Sequence, residues 1–129
     1  MGNGLRFHHI GIATRDIEQT KEYVKDLFEV VDITETIYDE KQDAYLCMII
    51  VVDGTKIELI SGEQVKGFVA KRRYLYHTCY ETDNIEESIK KFQEKGDMII
   101  SEPKEAILFD NKKVAFVMTP LGMIELVEA

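Results

Sequence analysis

The sequence predicts an α+β domain of two βαβββ modules, residues 5–61 and 73–128, because one pattern of strands, helix and chemistry occurs twice. The segment FHHIGIATRDIEQTKEYV, from Phe7, lies over LYHTCYETDNIEESIKKF, from Leu75, without a gap. This sets His9 on His77, Thr14 on Thr82, Asp16 on Asn84, Ile17 on Ile85, Glu18 on Glu86 and Val24 on Phe92. The ends agree as well: TKIELI, from Thr55, lies over GMIELV, from Gly122, setting Glu58 on Glu125 after one residue of slippage. Self-similarity of this kind marks a repeated structural unit.

Each module opens on a short strand, 7–14 or 75–82, rich in β-branched and aromatic residues. A helix follows at once. Asp16 and Asn84 are N-cap residues, with Gln19 and Glu87 three positions on as capping-box partners. Ile17, Val24, Leu27 and Phe28 recur near the helical period in the first helix, as do Ile85, Ile89 and Phe92 in the second, where Gly96 supplies a stop. In the first module a strand over 30–37, a polar DEKQD turn, an apolar strand over 45–52, an Asp53–Gly54 hairpin turn and a strand over 56–60 complete the unit. In the second, the expected order is a strand over 98–101, a loop around Pro103, a strand over 106–109, an Asp110–Asn111 turn, a strand over 114–118, a TPLG turn and a strand over 123–127. The linker SGEQVKGFVAKRRY holds Val65, Phe68 and Val69 at helical spacing, followed by Lys71, Arg72 and Arg73. It reads as a solvated connector with a short helix, the alternative for its cations being a patch for an anionic substrate tail.

Composition narrows the function classes. The chain has 129 residues, 45% hydrophobic, with 16 basic against 24 acidic side chains and a formal charge of -8. That length suits one domain. The negative field disfavours nucleic acid and anionic lipid as partners. The apolar stretch 45–52 is too short to span a bilayer, and the opening MGNGLRFHHIGIA lacks a sustained apolar run, so a cytoplasmic protein is expected. Acylation at Gly2 is not supported, since Arg6 stands where a hydroxyl residue is required. Cys47 and Cys79 lie inside apolar strand-like runs and read as buried free thiols.

Alternation in IELI and IELV sends the two isoleucine–leucine pairs to one face of the sheet and Glu58 or Glu125 to the other. A carboxylate among apolar residues is costly unless it is paired or bound to a cation. His9 and His77 recur at matched positions, and neutral imidazole with carboxylate is a ligand set for first-row divalent ions. Taken singly, each residue has a structural explanation; recurring together, the four are expected to hold one divalent metal. His8 faces Tyr76 in the repeat and is not expected to be a ligand.

The pieces HIGIATRDIE, KIELI, YHTCYETDNIEESI and KVAFVMTPLGMIELVE together resemble the vicinal-oxygen-chelate superfamily, which includes glyoxalase I, methylmalonyl-CoA epimerase, extradiol dioxygenases and drug-resistance proteins. The resemblance covers nearly the whole chain and implies paired βαβββ modules forming a curved-sheet, metal-binding cup. Position by position it makes His9, Glu58, His77 and Glu125 the ligands of one divalent ion: nickel, zinc or cobalt. The order His, Glu, His, Glu is similar to that of small bacterial glyoxalase I. It implies a homodimeric lyase that isomerises the hemithioacetal of an α-ketoaldehyde and a thiol such as glutathione through an enediolate, with Glu125 as base and Glu58 as the symmetric alternative. Methylmalonyl-CoA epimerase is the nearest rival, because VKGFVAKRRYLYH resembles the stretch before that enzyme's second histidine. Against it, Leu46 stands near the place of an expected catalytic carboxylate, and PKEAILFDNKKV lacks expected glycines. A third reading is a cup that binds a small molecule, such as a drug, without reacting on it.

Overall fold

The computed structural model describes residues 4–129, so Gly2 lies outside the described residues. Helix α1 (Ile17–Leu27) starts where the Asp16 carboxylate accepts a hydrogen bond from the Gln19 amide at 3.1 Å; α3 (Ile85–Glu94) starts where the Asn84 side chain accepts from the Glu87 amide, also at 3.1 Å. The preceding turn repeats too. Thr14 pairs with Thr20, and Thr82 with Ser88, each through a 2.6 Å hydroxyl contact. The helix ends differ. Gly96, at φ +89, lets the Gly96 amide donate to Gln93 and the Asp97 amide donate to Phe92, a Schellman stop. Helix α1 has no glycine there and ends on extended Phe28, whose amide donates to Val24.

The chain divides into two compact units. One runs His9–Tyr76 and carries strands in the order β2 (Val30–Ile33), β4 (Ala44–Val51), β5 (Lys56–Ser61) and β1 (Arg6–Ala13), with β3 (Ile37–Asp39) also paired to β4. Its core gathers Ile17 and Val24 from α1 with Cys47, Ile49, Val51, Ile57 and Leu59, so the odd-numbered residues of β4 and β5 face the helix. Met48 and Glu58, opposite each other in the antiparallel β4–β5 ladder, take the other face. Strand β1 runs parallel to β5, with Gly11 opposite Glu58.

The other unit comprises residues 4–8 and His77–Ala129, with strand order β6 (Leu75–Thr82), β9 (Gly122–Glu128), β8 (Lys112–Thr119) and β7 (Met98–Ala106). Ile85 and Ile89 of α3 pack on Ala115, Val117, Ile124 and Leu126. Phe116 and Glu125 pair on the opposite face, and β6 runs parallel to β9 with Cys79 opposite Glu125. Both units therefore repeat the helix-on-one-face arrangement, and the α+β class holds, with βαβββ order in the second unit and in the first once β2 and β3, which both pair with β4, are taken as one interrupted strand.

Three segments depart from expectation. The strand over 30–37 is broken into β2 and β3, because Thr34 turns its hydroxyl and amide to the Met48 backbone and its carbonyl toward the Cys47 thiol. Residues 98–106 form one strand rather than a strand and a loop; Pro103 sits where the register shifts between Ser101 and Lys104, so its missing N–H interrupts no ladder bond. Residues Ile107–Phe109 make a 3-10 turn instead of a strand. The linker does hold a helix, α2 (Lys66–Ala70), and Lys71, Arg72 and Arg73 beyond it are exposed. Cys47 and Cys79 are both buried and outside any disulfide among the described residues.

Candidate metal-binding pairs

Alternation along β1 puts Ile10 and Ile12 against the helix face and leaves His9 and Gly11 on the face that carries Glu58. There the His9 Nε2 lies 3.0 Å from Glu58 Oε1, with His9 fully buried and Glu58 only 2% exposed. The second unit builds the same pair from the same elements. His77 on β6 places Nε2 3.0 Å from Glu125 Oε1, and both residues are buried. Each unit thus joins a histidine from its first strand to a glutamate from its last, and the helix contributes nothing to this face.

Such a pair needs a compensating charge. Burying a carboxylate is costly unless it is paired or bound to a cation, and a metal ion sharing the carboxylate and the neutral ring would offset that cost. One ring nitrogen and carboxylate oxygens in each pair form a donor set suited to first-row divalent ions, and all four side chains are residues able to hold a metal. The donor chemistry fits the expected metal.

Across the antiparallel ladders the two glutamates face apolar residues. Glu58 is flanked across the ladder by Met48, and Glu125 by Phe116. Phe116 also meets the His77 ring edge-on, with centroids 5.4 Å apart and planes at 77°, fixing the imidazole's orientation. Sequence reasoning missed this residue; the signal was its register, since in a hairpin closed by TPLG the residue opposite Glu125 is Phe116. Leu46 lies two residues from Met48 on the same face of β4 and is 1% exposed, so no carboxylate comes from that position. The His8 ring packs edge-on against Phe109, while Tyr76 at the matching position packs on Phe68. No described helix is long and apolar enough to cross a membrane.

The profile of the glyoxalase/bleomycin resistance protein/dioxygenase superfamily matches residues 8–116. Among solved structures the chain is similar to methylmalonyl-CoA epimerase from Mycobacterium tuberculosis, with a TM-score of 0.79 and 19% identity over 97% of this chain and 87% of that one. A variant of the Streptomyces coelicolor methylmalonyl-CoA epimerase, bound to 2-nitronate-propionyl-CoA, gives 0.75 and 23% over 98% and 96%. A methylmalonyl-CoA epimerase in complex with methylmalonyl-CoA and ammonium gives 0.75 and 22% over 97% and 94%. No curated protein matches the chain significantly.

Proposed function

Because the chain belongs to the glyoxalase/bleomycin resistance protein/dioxygenase superfamily, we propose that it is a metal-dependent isomerase that moves a proton on the carbon beside a carbonyl, with an acyl thioester of the methylmalonyl-CoA kind as its substrate. The observation that carries this reading is a buried His–Glu pair with the same 3.0 Å separation in each unit. In the proposal, His9, Glu58, His77 and Glu125 hold one divalent ion, nickel, zinc or cobalt, within a single 129-residue domain. When bound, the ion supplies Lewis-acid stabilisation to the negative charge that develops on the substrate's oxygen. Glu125 takes the proton from carbon, with Glu58 as its symmetric counterpart; two carboxylates are enough to remove a proton and return it. His77, held edge-on by Phe116, keeps the Glu125 carboxylate oriented. The apolar flanks Met48, Leu46 and Phe116 exclude water and so strengthen every charge interaction at the pairs. The structures named above favour this reading through the fold they share with the chain. A homodimer and a cytoplasmic location belong to the same proposal.

A second reading, the glyoxalase I lyase acting on a hemithioacetal of glutathione or another thiol, is favoured by one observation: Leu46 leaves no additional carboxylate on β4, so the one acid on this face of β4 and β5 is the proposed ligand Glu58. One assay set separates the two. The protein is loaded in turn with nickel, zinc and cobalt, and racemisation of methylmalonyl-CoA is followed beside thioester formation from methylglyoxal and glutathione, with Glu125→Gln as control. Metal-dependent racemisation lost in the control is the expected result. Thioester formation alone selects the lyase, and silence in both with metal bound overturns both reactions in favour of a non-catalytic small-molecule binder.

A further inference from the structure

Cations are unevenly placed along this chain. Residues 64–73, QVKGFVAKRR, hold Lys66, Lys71, Arg72 and Arg73 and no acidic side chain, in a protein of formal charge -8. Both ends of this segment are tied to one end of strands β1 and β5. The chain leaves β5 through Gly62, at φ +129, and comes back at Tyr74, whose carbonyl accepts from the Ala13 amide at 2.7 Å as β1 ends. Strands β1 and β5 run parallel, and the Thr14 amide donates to the Ile60 carbonyl at 2.8 Å, so the two strands finish side by side. The stop of α2 is made with arginine: Arg72 takes φ +57, where the stop of α3 uses Gly96. A cation is thus kept where a glycine would be less strained.

A cavity of about 380 Å3 lies at this end of the strands, with Thr14, Arg15, Gly62, Val65, Lys66 and Ala70 in its walls. Arg15 and Lys66 are its charged lining residues, and no described acid lines it. In the gapless overlay Arg15 falls on Asp83, and the cavity that Asp83 lines along α3 also holds Glu87 and Glu94 beside Lys90 and Lys91. That wall is of mixed sign, whereas the Arg15 cavity is of one sign. Both of its cations are available. Among the described residues Arg15 is exposed and makes no ion pair, and Lys66 meets Glu63 alone, at 3.7 Å, with both side chains more than three-quarters exposed. So exposed a pair contributes little, and a phosphate, with more charge and more acceptors, can displace it.

We propose that this cavity is an anion subsite for the phosphate end of the acyl-thioester's carrier, a nucleotide diphosphate of the coenzyme A class, with Arg15 and Lys66 as its contacts. Lys71, Arg72 and Arg73 supply a positive field around it in an otherwise acidic protein. The inference rests on the acyl-thioester reading above and adds the place where the carrier is held. Thr14 lies five residues beyond His9 and Gly62 four beyond Glu58, so the strand rise separates the cavity from that buried pair by roughly 13–17 Å. A substrate whose reacting carbon is at the pair therefore reaches Arg15 only through a long flexible arm, and the extended pantetheine chain between thioester and diphosphate is such an arm. The guanidinium of Arg15 suits a phosphate through paired N–H donors, and the Lys66 ammonium acts as a point charge beside it.

The test is calorimetric titration of the full chain with coenzyme A and, separately, with pantetheine, which has the same arm and no phosphate. Binding of coenzyme A should weaken as salt rises, and Arg15→Ala and Lys66→Ala should each weaken it roughly fivefold. Pantetheine should behave alike with the wild type and both variants. The two side chains are exposed, and circular dichroism with thermal melting establishes that the variants fold. No binding of coenzyme A to the wild type, unchanged binding in both variants, or equal weakening of the two probes overturns the proposal. Because the readout needs no turnover, the two readings fail separately. Cation-dependent binding in a chain that does not racemise methylmalonyl-CoA upholds the subsite and overturns only the reaction, whereas racemisation with binding unchanged in both variants overturns only the subsite.

Discussion

His77 and Glu125 illustrate how much one side chain's removal costs when its partner cannot reach water. In the metal-free protein, His77→Ala takes from the buried Glu125 carboxylate its partner at 3.0 Å and also removes the ring against Phe116, so stability should fall by roughly 3–5 kcal/mol in urea titrations. A loss below about 1 kcal/mol would mean that the carboxylate is already protonated and needs no partner. Tyr38 gives a surface counterpart. Its hydroxyl donates to Asp43 at 2.5 Å, and that bond, with burial second, holds the phenol above its ordinary value of 10.0. A folded value raised above the unfolded one means that the contribution is complete below the unfolded pKa and is lost as pH rises through the folded one. Ultraviolet titration should therefore show one late-ionising tyrosine in the native protein that Tyr38→Phe removes; an unchanged titration curve would refute the assignment.

At the scale of elements, both main helices begin with the same device, and its loss should cost the same in each. Asp16→Ala and Asn84→Ala should each lower stability by about 1 kcal/mol, read as a shift in urea midpoint at constant slope. A much smaller loss for Asn84 would point to the Glu128 carboxylate, which accepts from the Ile85 amide at 3.0 Å, as the stronger cap of α3. These helix starts were legible because a cap is written in adjacent residues. So were the hairpin turns: Gly54 and Gly122 take φ of +90 and +92 where the glycine-containing turns were expected. The breaks within strands were not legible. Thr34 interrupts the β2–β3 stretch by bonding to Met48, and nothing near Thr34 in sequence announces a partner 14 residues away. Pro103 misled in the opposite direction, since a bulge admits proline into a strand that local sequence would end.

Over the molecule as a whole, repetition made the candidate site readable: a histidine or a glutamate alone carries little meaning, but the same two residues closing the same pattern twice carry a good deal. Repetition also hides whatever is not duplicated. Phe116 has Met48 as its counterpart, and Arg15 has Asp83, so neither could be found by asking what the halves share. The parallel pairing of first strand with last has a further consequence, for the order in which the protein is made. His9 and Glu58 are 49 positions apart, and β1 cannot dock on β5 until the intervening chain has been synthesised and released. Closing so long a loop is slow and comes after the local helix and hairpins have formed. Each His–Glu pair is thus a late event in folding, completed only when its own unit is complete, and a chain interrupted within a unit lacks that unit's pair.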